Sequence, residues 1–462
     1  MLYLSEINRL LGGKLVHAPI EIPVTGVCTD SRRIRKGELF VALKGKKFDG
    51  HEYVMDAITR GAAGALVEKR MPFIKAQVIV PDTLEGLGRL AQAYRMALGT
   101  RVIAVTGSNG KTTTKEMIAH ILSGQGTVVK APASYNNEVG VPLTILKATP
   151  ESDFLVLEVG ANRKGEIAKL GAIARPDAAC ITSIGPSHLE GFTNVRTVAK
   201  EKLSLLDHIR TGGFGVLNVD DPYLRKFAKE HEDRVVTVSL YSSSKKAGFF
   251  PEEIHDGNGL LVFRLRGTPV HLNLFGVWNI TNALEAIAVC SAYGVSIPVC
   301  AERLATFKPP RMRMERLTID GVTILNDAYN SNPVSAENSL REFAKLPNTG
   351  RKIVVLGDMA ELGRASKKAH TALGKLVASM DEVDLVIAVG QEIVQTLQQV
   401  RGEKAVRYFE EVREAADFVI SMAAPGDQIL LKASRVVELE RVLEEWVRRE
   451  PQIVMEQKKA GA

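Results

Sequence analysis

Residues 106 to 114 read Thr-Gly-Ser-Asn-Gly-Lys-Thr-Thr-Thr, and no other stretch restricts the fold of this chain as much. The segment leaves an apolar run, Arg101-Val102-Ile103-Ala104-Val105-Thr106, that has the character of a buried strand, and it enters a helical pattern near Thr112. Gly107 and Gly110 allow backbone N–H groups to come close to phosphate oxygens, and the start of a helix adds a favourable partial charge. Lys111 can reach terminal phosphates, and Thr112 or Thr113 can offer a hydroxyl to Mg²⁺. Only Ser108 and Asn109 separate the two glycines, so the loop is shorter than the common GxxxxGK form. With no NKxD-type segment to read guanine, the expected nucleotide is ATP.

A strand feeding such a loop belongs in an α/β fold, and the rest of the chain agrees. Apolar runs at 154–159, 179–184 and 215–219 alternate with helical patterns, which predicts a mostly parallel sheet with helices on its faces. Residues 260–263 and 270–274 read instead as an antiparallel pair, followed by a helix over 279–293. Before this unit, residues 39–43 and 64–67 predict strands around a helix at 53–64. After it, Phe307-Lys308-Pro309-Pro310-Arg311 reads as a stiff linker, and the alternation resumes with strands at 323–326, 352–356, 385–389 and 428–431. The expectation is three α/β domains, over residues 1–98, 99–308 and 309–462, with the last ten residues frayed.

Composition narrows the function classes. A 45% hydrophobic content excludes wholesale disorder, and no apolar run approaches the roughly 20 residues that span a bilayer. The opening segment has Glu6 among its apolar residues and lacks a signal-peptide layout, so a cytoplasmic protein is expected. The formal charge of +7 is spread along the chain among acids, and aromatics are 6%, which favours a solvated basic surface over nucleic-acid binding. Cys28, Cys180, Cys290 and Cys300 show no CxxC spacing, so neither a zinc site nor a disulfide framework is expected.

Two further side chains sit where chemistry could use them. Glu158 ends an apolar strand, a position suited to holding Mg²⁺ beside a phosphate loop, although a strand-end acid can equally face solvent. His188 follows another strand end and, taken alone, reads as structural. Together with the loop, these residues resemble the Mur ligase family. The likeness runs along nearly the whole chain. It includes Thr29 to Arg32, Gly37 to His51, Asn136 to Pro142, the EVGAN stretch from Glu158, HLEGF from His188, Asn326 to Pro333, and Leu356 to Gly363.

The resemblance implies a small N-terminal UDP-sugar domain, a central P-loop ATPase domain with a mostly parallel sheet, and a C-terminal Rossmann-like domain. It also implies ATP-dependent amide formation through an acyl phosphate. The branch it most resembles joins D-alanyl-D-alanine to a UDP-N-acetylmuramoyl-tripeptide, and a monomer is expected. In that likeness Thr112 and Glu158 serve one Mg²⁺ and His188 a second, with Lys202 as a carbamate; Lys200 is the neighbouring alternative. The GxHNxxNA-like segment puts Asn279 and Asn282 near the adenine, but Trp278 stands where the family has histidine. Arg313, or else Arg311, would sense the γ-phosphate, while Asp327, Tyr329 and Asn330 would meet the nucleoside. Substrate contacts are implied for Ser31, Arg32, Gly45, Asp49, His51, Asn136, Asn137, Glu138 and Asn332. Ser434 and Arg435 join them in a KGSR-like element whose glycine is Ala433.

Four rivals remain. A tripeptide-forming member would carry ExSSH and DNPR segments where this chain has EVGAN and DMAEL. Folylpolyglutamate synthase would lack the N-terminal TDSR unit. A scaffold without catalysis would have no use for Lys111, Glu158, His188 and Lys202 together, while a DNA-dependent ATPase would draw on the basic pI, and DNA-independent phosphate release would count against it.

Overall fold

The computed structural model describes residues 2–16, 21–45, 47–241, 248–257, 259–347, 349–400, 402 and 404–449. The frayed end expected for the last ten residues lies outside these. At the centre is a six-stranded sheet, parallel throughout, in the order Val235–Val238, Phe214–Asn218, Ala178–Ile181, Arg101–Thr106, Phe154–Glu158, Val128–Lys130. Its middle strands are buried on both faces, as βαβ connections require. One face packs on the helices Lys111–Leu122 and Trp278–Ala292, the other on Glu166–Ala174 and Gly140–Ile145. The strand Arg101–Thr106 lies between Phe154–Glu158 and Ala178–Ile181, so its carboxyl end opens at the point where the strand order reverses. That end carries the glycine loop.

The antiparallel pair at Leu260–Leu265 and Thr268–Leu272 is present and gains a third strand, Ile254–Gly257, with all four residues exposed. Beyond the irregular 307–310 stretch is a second six-stranded sheet: Glu315–Ile319, Val322–Asn326, Gln428–Lys432, Lys352–Gly357, Leu385–Val389, Ala405–Phe409. Only its first pair is antiparallel. At the other end of the chain, Lys14–Val16, Gln77–Ile79, Gly64–Val67, Glu38–Val41 and Gly26–Cys28 form a five-stranded sheet. Among the described residues no helix is long and apolar enough to cross a membrane, and the four cysteines are free.

Several sequence expectations shift by a few residues. The strand placed at 179–184 ends at Ile181, because Thr182 and Ser183 turn away to brace the glycine loop. The helix expected over 53–64 is only Val54–Thr59, preceded by a 3₁₀ turn at Gly50–Tyr53. The helix after the glycine loop begins at Lys111, one residue earlier than expected.

Candidate active site

The glycine loop is held open from behind. Ser108 N–H donates to Ser183 O at 2.8 Å, and Asn109 N–H to Ser183 Oγ at 3.0 Å. Ser108 Oγ donates to Gly185 O at 3.0 Å and accepts from Gly185 N–H at 2.9 Å. Ser108 and Asn109 therefore spend these groups on fixing the loop. Helix geometry leaves the N–H groups of Lys111, Thr112 and Thr113 without intrahelical acceptors, facing outward as an anion site. Gly110 has φ +84°, and a Cβ there would lie 2.5 Å from Asn282 Oδ1. Lys111 Nζ folds back to Gly107 O at 2.8 Å, and burial lowers its pKa.

Beside the loop, Thr112 Oγ1 donates to Glu158 Oε2 at 2.9 Å, and Asn136 Nδ2 donates to the other carboxylate oxygen at 2.9 Å. Lys202, on the helix Val195–Leu203, is almost fully buried; burial first, then the nearby Lys111 charge, drives its pKa well below the ordinary lysine value. Its neighbour Lys200 is exposed and does not line the cavity. His188 adopts φ +51°. Its Nδ1 is buried without a hydrogen-bond partner but lies 2.6 Å from Glu361 Oε2, close enough for an ion pair yet out of line with the ring N–H. That contact, ahead of burial, holds the Glu361 carboxyl below its usual range.

These side chains line one cavity of about 330 Å³ whose opposite wall comes from the C-terminal sheet. Arg313, Tyr329, Asn330, Asn332, Ser434 and Arg435 all face it. The walls touch: Asn332 Nδ2 donates to Asn109 Oδ1 at 2.7 Å, Arg313 Nη2 to Thr112 Oγ1 at 3.4 Å, and Tyr329 OH to Ser134 Oγ. The Arg313 guanidinium also lies 4.1 Å from the Tyr329 ring centroid. Arg311 does not line this cavity.

A second cavity of about 210 Å³ continues behind Asn109 and Gly110. Thr113, Trp278, Asn279, Asn282, Asp327 and Lys432 line it. Asn279 Nδ2 donates to Phe275 O at 2.7 Å, and Asn282 Nδ2 to Asn279 Oδ1 at 2.8 Å. Asp327 pairs with Lys432 Nζ at 2.5 Å and accepts from Ser339 Oγ at 2.6 Å. Trp278 covers Gly276 (φ +88°) and packs on the C-terminal core. Ala433 is accommodated because Gly357 beside it has no side chain: a Cβ there would meet the alanine methyl at 2.7 Å.

The N-terminal residues stand apart from both cavities. Ser31 and Arg32 form a 3₁₀ turn in which Asp30 binds the Arg32 guanidinium at 2.9 Å. Gly45 N–H donates to Phe48 O at 2.9 Å. His51 is buried: Nδ1 lies 2.6 Å from Asp49 Oδ1, and Nε2 accepts from Glu68 N–H at 2.9 Å. In the central unit Asn137 lines the first cavity, its Oδ1 accepting from Gly140 N–H at 2.9 Å, whereas Glu138 lies outside that lining and pairs with Lys169 at 2.7 Å. Sequence reasoning missed Thr182, Ser183, Ser134 and Glu361 as individual residues. The first two could have been found from their position just past the strand next to the loop; Glu361 lay inside a segment noted for its likeness only.

Comparison with known proteins agrees along the chain. The descriptions "Mur ligase family, catalytic domain", "Mur ligase middle domain" and "Mur ligase, glutamate ligase domain" match residues 23–95, 105–290 and 312–435. The UDP-N-acetylmuramoyl-tripeptide–D-alanyl-D-alanine ligase of Bacillus subtilis is 34% identical, over 96% of this chain and 98% of its own length. The chain belongs to the Mur ligase family. The equivalently named Escherichia coli ligase is 35% identical over 84% of this chain and 86% of its own. Among solved structures, MurF from Acinetobacter baumannii superposes with a TM-score of 0.87 at 28% identity, covering 96% of this chain and 98% of that one. MurF from Thermotoga maritima in complex with ADP gives 0.80 at 28%, covering 92% and 97%. This Mur ligase is therefore an enzyme that forms bonds, which disposes of the scaffold and the DNA-dependent ATPase.

Proposed function

We propose that this Mur ligase joins D-alanyl-D-alanine to a UDP-N-acetylmuramoyl-tripeptide at the expense of ATP, in peptidoglycan precursor synthesis and in the cytoplasm. One observation carries the reading: Lys111, the Thr112–Glu158 pair, His188 and Lys202 converge on a single cavity closed by Arg313, Asn332, Ser434 and Arg435. The names of the B. subtilis and E. coli relatives supply the substrates. The division into residues 1–98, 99–308 and 309–462 belongs to the same proposal, with the N-terminal unit holding the UDP end through Ser31, Arg32 and the Gly45–His51 loop.

The reaction brings a substrate carboxylate to the γ-phosphorus of ATP. The carboxylate oxygen forms the new P–O bond as the bond to ADP breaks with its electron pair. The dipeptide amine then attacks the acyl phosphate carbon, phosphate leaves, and the amine gives up a proton. Like-charge repulsion opposes the first step, so cations must face the transferring group. Arg313, whose Nη2 reaches Thr112 Oγ1, and Lys111, folded onto Gly107 O in the opposite wall of the same cavity, supply them.

The donor set suits Mg²⁺. Thr112 Oγ1 and Glu158 Oε2 are hard oxygen donors at mutual contact distance, with Asn136 fixing the carboxylate plane. The His188 ring lines the same cavity, with its Nδ1 turned toward Glu361 and its Nε2 without a protein partner among the described residues. Among the described residues no cluster of three His, Cys, Asp or Glu side chains makes a metal site unaided, so the second site needs another anion. Lys202 suits that role: a desolvated neutral amine adds CO₂ and loses a proton, and the carbamate turns repulsion by Lys111 into attraction. Bound Mg²⁺ would offset charge on the phosphates.

Phosphate release measured with lysine- and diaminopimelate-containing UDP-tripeptides, against a panel of amino acids and dipeptides, tests the reading. D-alanyl-D-alanine should stimulate release. Stimulation by glutamate or a free diamino acid instead would assign the chain to another branch.

A further inference from the structure

Glu361 belongs to the C-terminal sheet's loop after the strand Lys352–Gly357, yet its closest polar neighbour is a residue of the central unit. Three contacts join these loops. Glu361 Oε2 is 2.6 Å from His188 Nδ1, Glu361 O accepts from Glu190 N–H at 3.1 Å, and Gly363 approaches the Glu190 backbone so closely that a Cβ would lie 3.2 Å from its Cα. Both residues of the pair hold left-handed backbone, φ +61° for Glu361 and +51° for His188. Neither is glycine. Such conformations persist only where surrounding contacts over-determine them, and here they aim two side chains at each other across the cleft.

An imidazole has two inequivalent nitrogens, and a carboxylate on one sets what the other can do. Nδ1 is buried and unpartnered except for this carboxylate. Among the described residues Nε2 has no protein partner, and the ring lines the cavity. A small rotation of the Glu361 side chain, which is 47% exposed, would align the bond.

We propose that Glu361 is a positioning residue for His188. Its carboxylate oxygen accepts a hydrogen bond from Nδ1–H, fixes the Nδ1–H tautomer and leaves Nε2 as the ligating atom. Because the two residues lie on opposite walls, this orientation exists only while the cleft is shut. Metal binding through His188 is thereby tied to closure. The inference rests on the proposed ligase reading, since it assumes that His188 receives a metal.

Full-length wild type, Glu361→Ala and Glu361→Gln separate the possibilities, with Mn²⁺ titrated by electron paramagnetic resonance in the presence of ADP. The alanine variant should lose 10- to 100-fold in affinity at one Mn²⁺ site and a similar factor in kcat. ADP affinity without metal should stay within about twofold. Glutamine, whose Oε1 still accepts from Nδ1–H, should recover most of both. Nitrogen-15 spectra of labelled histidine, assigned by subtraction of His188→Asn, should show the Nδ1–H tautomer in wild type and a mixture in the alanine variant. Unchanged Mn²⁺ affinity in Glu361→Ala overturns the proposal. So does a glutamine variant as impaired as alanine, because charge rather than orientation would then be at work. If wild type fails to use D-alanyl-D-alanine, the functional reading falls while the Mn²⁺ comparison still reports on Glu361.

Discussion

Lys111 and Lys202 are both buried lysines, and they predict opposite recoveries. Lys111→Ala removes a cation facing the transferring phosphoryl group, so kcat should fall about 10²- to 10³-fold, and no small molecule should restore it. Lys202→Ala removes the proposed carbamate instead. Added short carboxylic acids should restore part of its turnover, and failure of that rescue would count against the carbamate. A third buried group was invisible in the sequence. Glu285, on the helix behind the glycine loop, is fully buried; it accepts from Thr114 Oγ1 at 3.0 Å, and its Oε1 has no partner. Burial raises its pKa to about 8. The folded protein thus holds a proton there that the unfolded chain releases near the ordinary glutamate value of 4.5, so Glu285 lowers stability progressively as pH rises from about 4.5 to 8. Glu285→Gln should gain on wild type by up to a few kcal/mol between pH 5.5 and 8.5 in denaturant melts. A constant difference across that range would refute the assignment. Motif residues such as Lys111 and Glu158 were legible because chemistry fixes their spacing. Glu285 and Glu361 were not, because their partners are 171 and 173 residues away in sequence, at Thr114 and His188, and only the fold brings them together.

At the scale of elements, the buried parallel strands were readable because both faces are apolar and the runs are continuous. Apart from the three-residue interior strand Gln77–Ile79, the strands that went unread lie at sheet edges. Val128–Lys130 is three residues long with no buried position, Ala405–Phe409 is half exposed, and Ile254–Gly257 is exposed throughout. Such segments are strands because a neighbour offers a ladder, which local pattern does not announce. The glycine loop is the opposite case: its conformation is written into its residues. Gly110→Ala would place a methyl against Asn282 Oδ1 on backbone at φ +84°, so both the loop and the asparagine must shift. Nucleotide affinity should fall at least tenfold by calorimetry, while overall stability changes by only about 1–2 kcal/mol. Unchanged ATP binding would mean that the Lys111–Leu122 helix start is not the phosphate site.

The whole molecule joins its three larger sheets through two unlike interfaces. The N-terminal unit is welded to the centre by the helix Thr83–Ala97. Its Ala91 and Leu98 end enters the central core, and Arg95, almost fully buried, donates to Ala174 O at 3.0 Å and pairs with Asp177 at 2.8 Å. The C-terminal sheet meets the centre differently. Phe275 and Trp278 pack on its core, the contacts across the cavity are polar pairs, and the connection is the irregular 307–310 stretch with its two prolines. Polar pairs lining a cavity can exchange for solvent or ligand at little cost, whereas a buried guanidinium cannot lose its partner without stranding charge. Arg95→Ala should therefore cost about 3 kcal/mol, the lower end of the range for a broken buried pair because Asp177 is 26% exposed. It should also free the N-terminal unit to hydrogen exchange ahead of the rest. Asn109→Ala removes the contact with Asn332, worth about 1 kcal/mol, without touching the Asn332 oxygen that caps the helix Pro333–Lys345, and it should leave the melting temperature nearly unchanged. Its effect should appear as a larger radius of gyration in solution scattering and about fivefold weaker ATP binding, the same energy read as affinity. If instead Asn109→Ala melts early and Arg95→Ala only loosens the cleft, the rigid and the moving interfaces have been assigned the wrong way round.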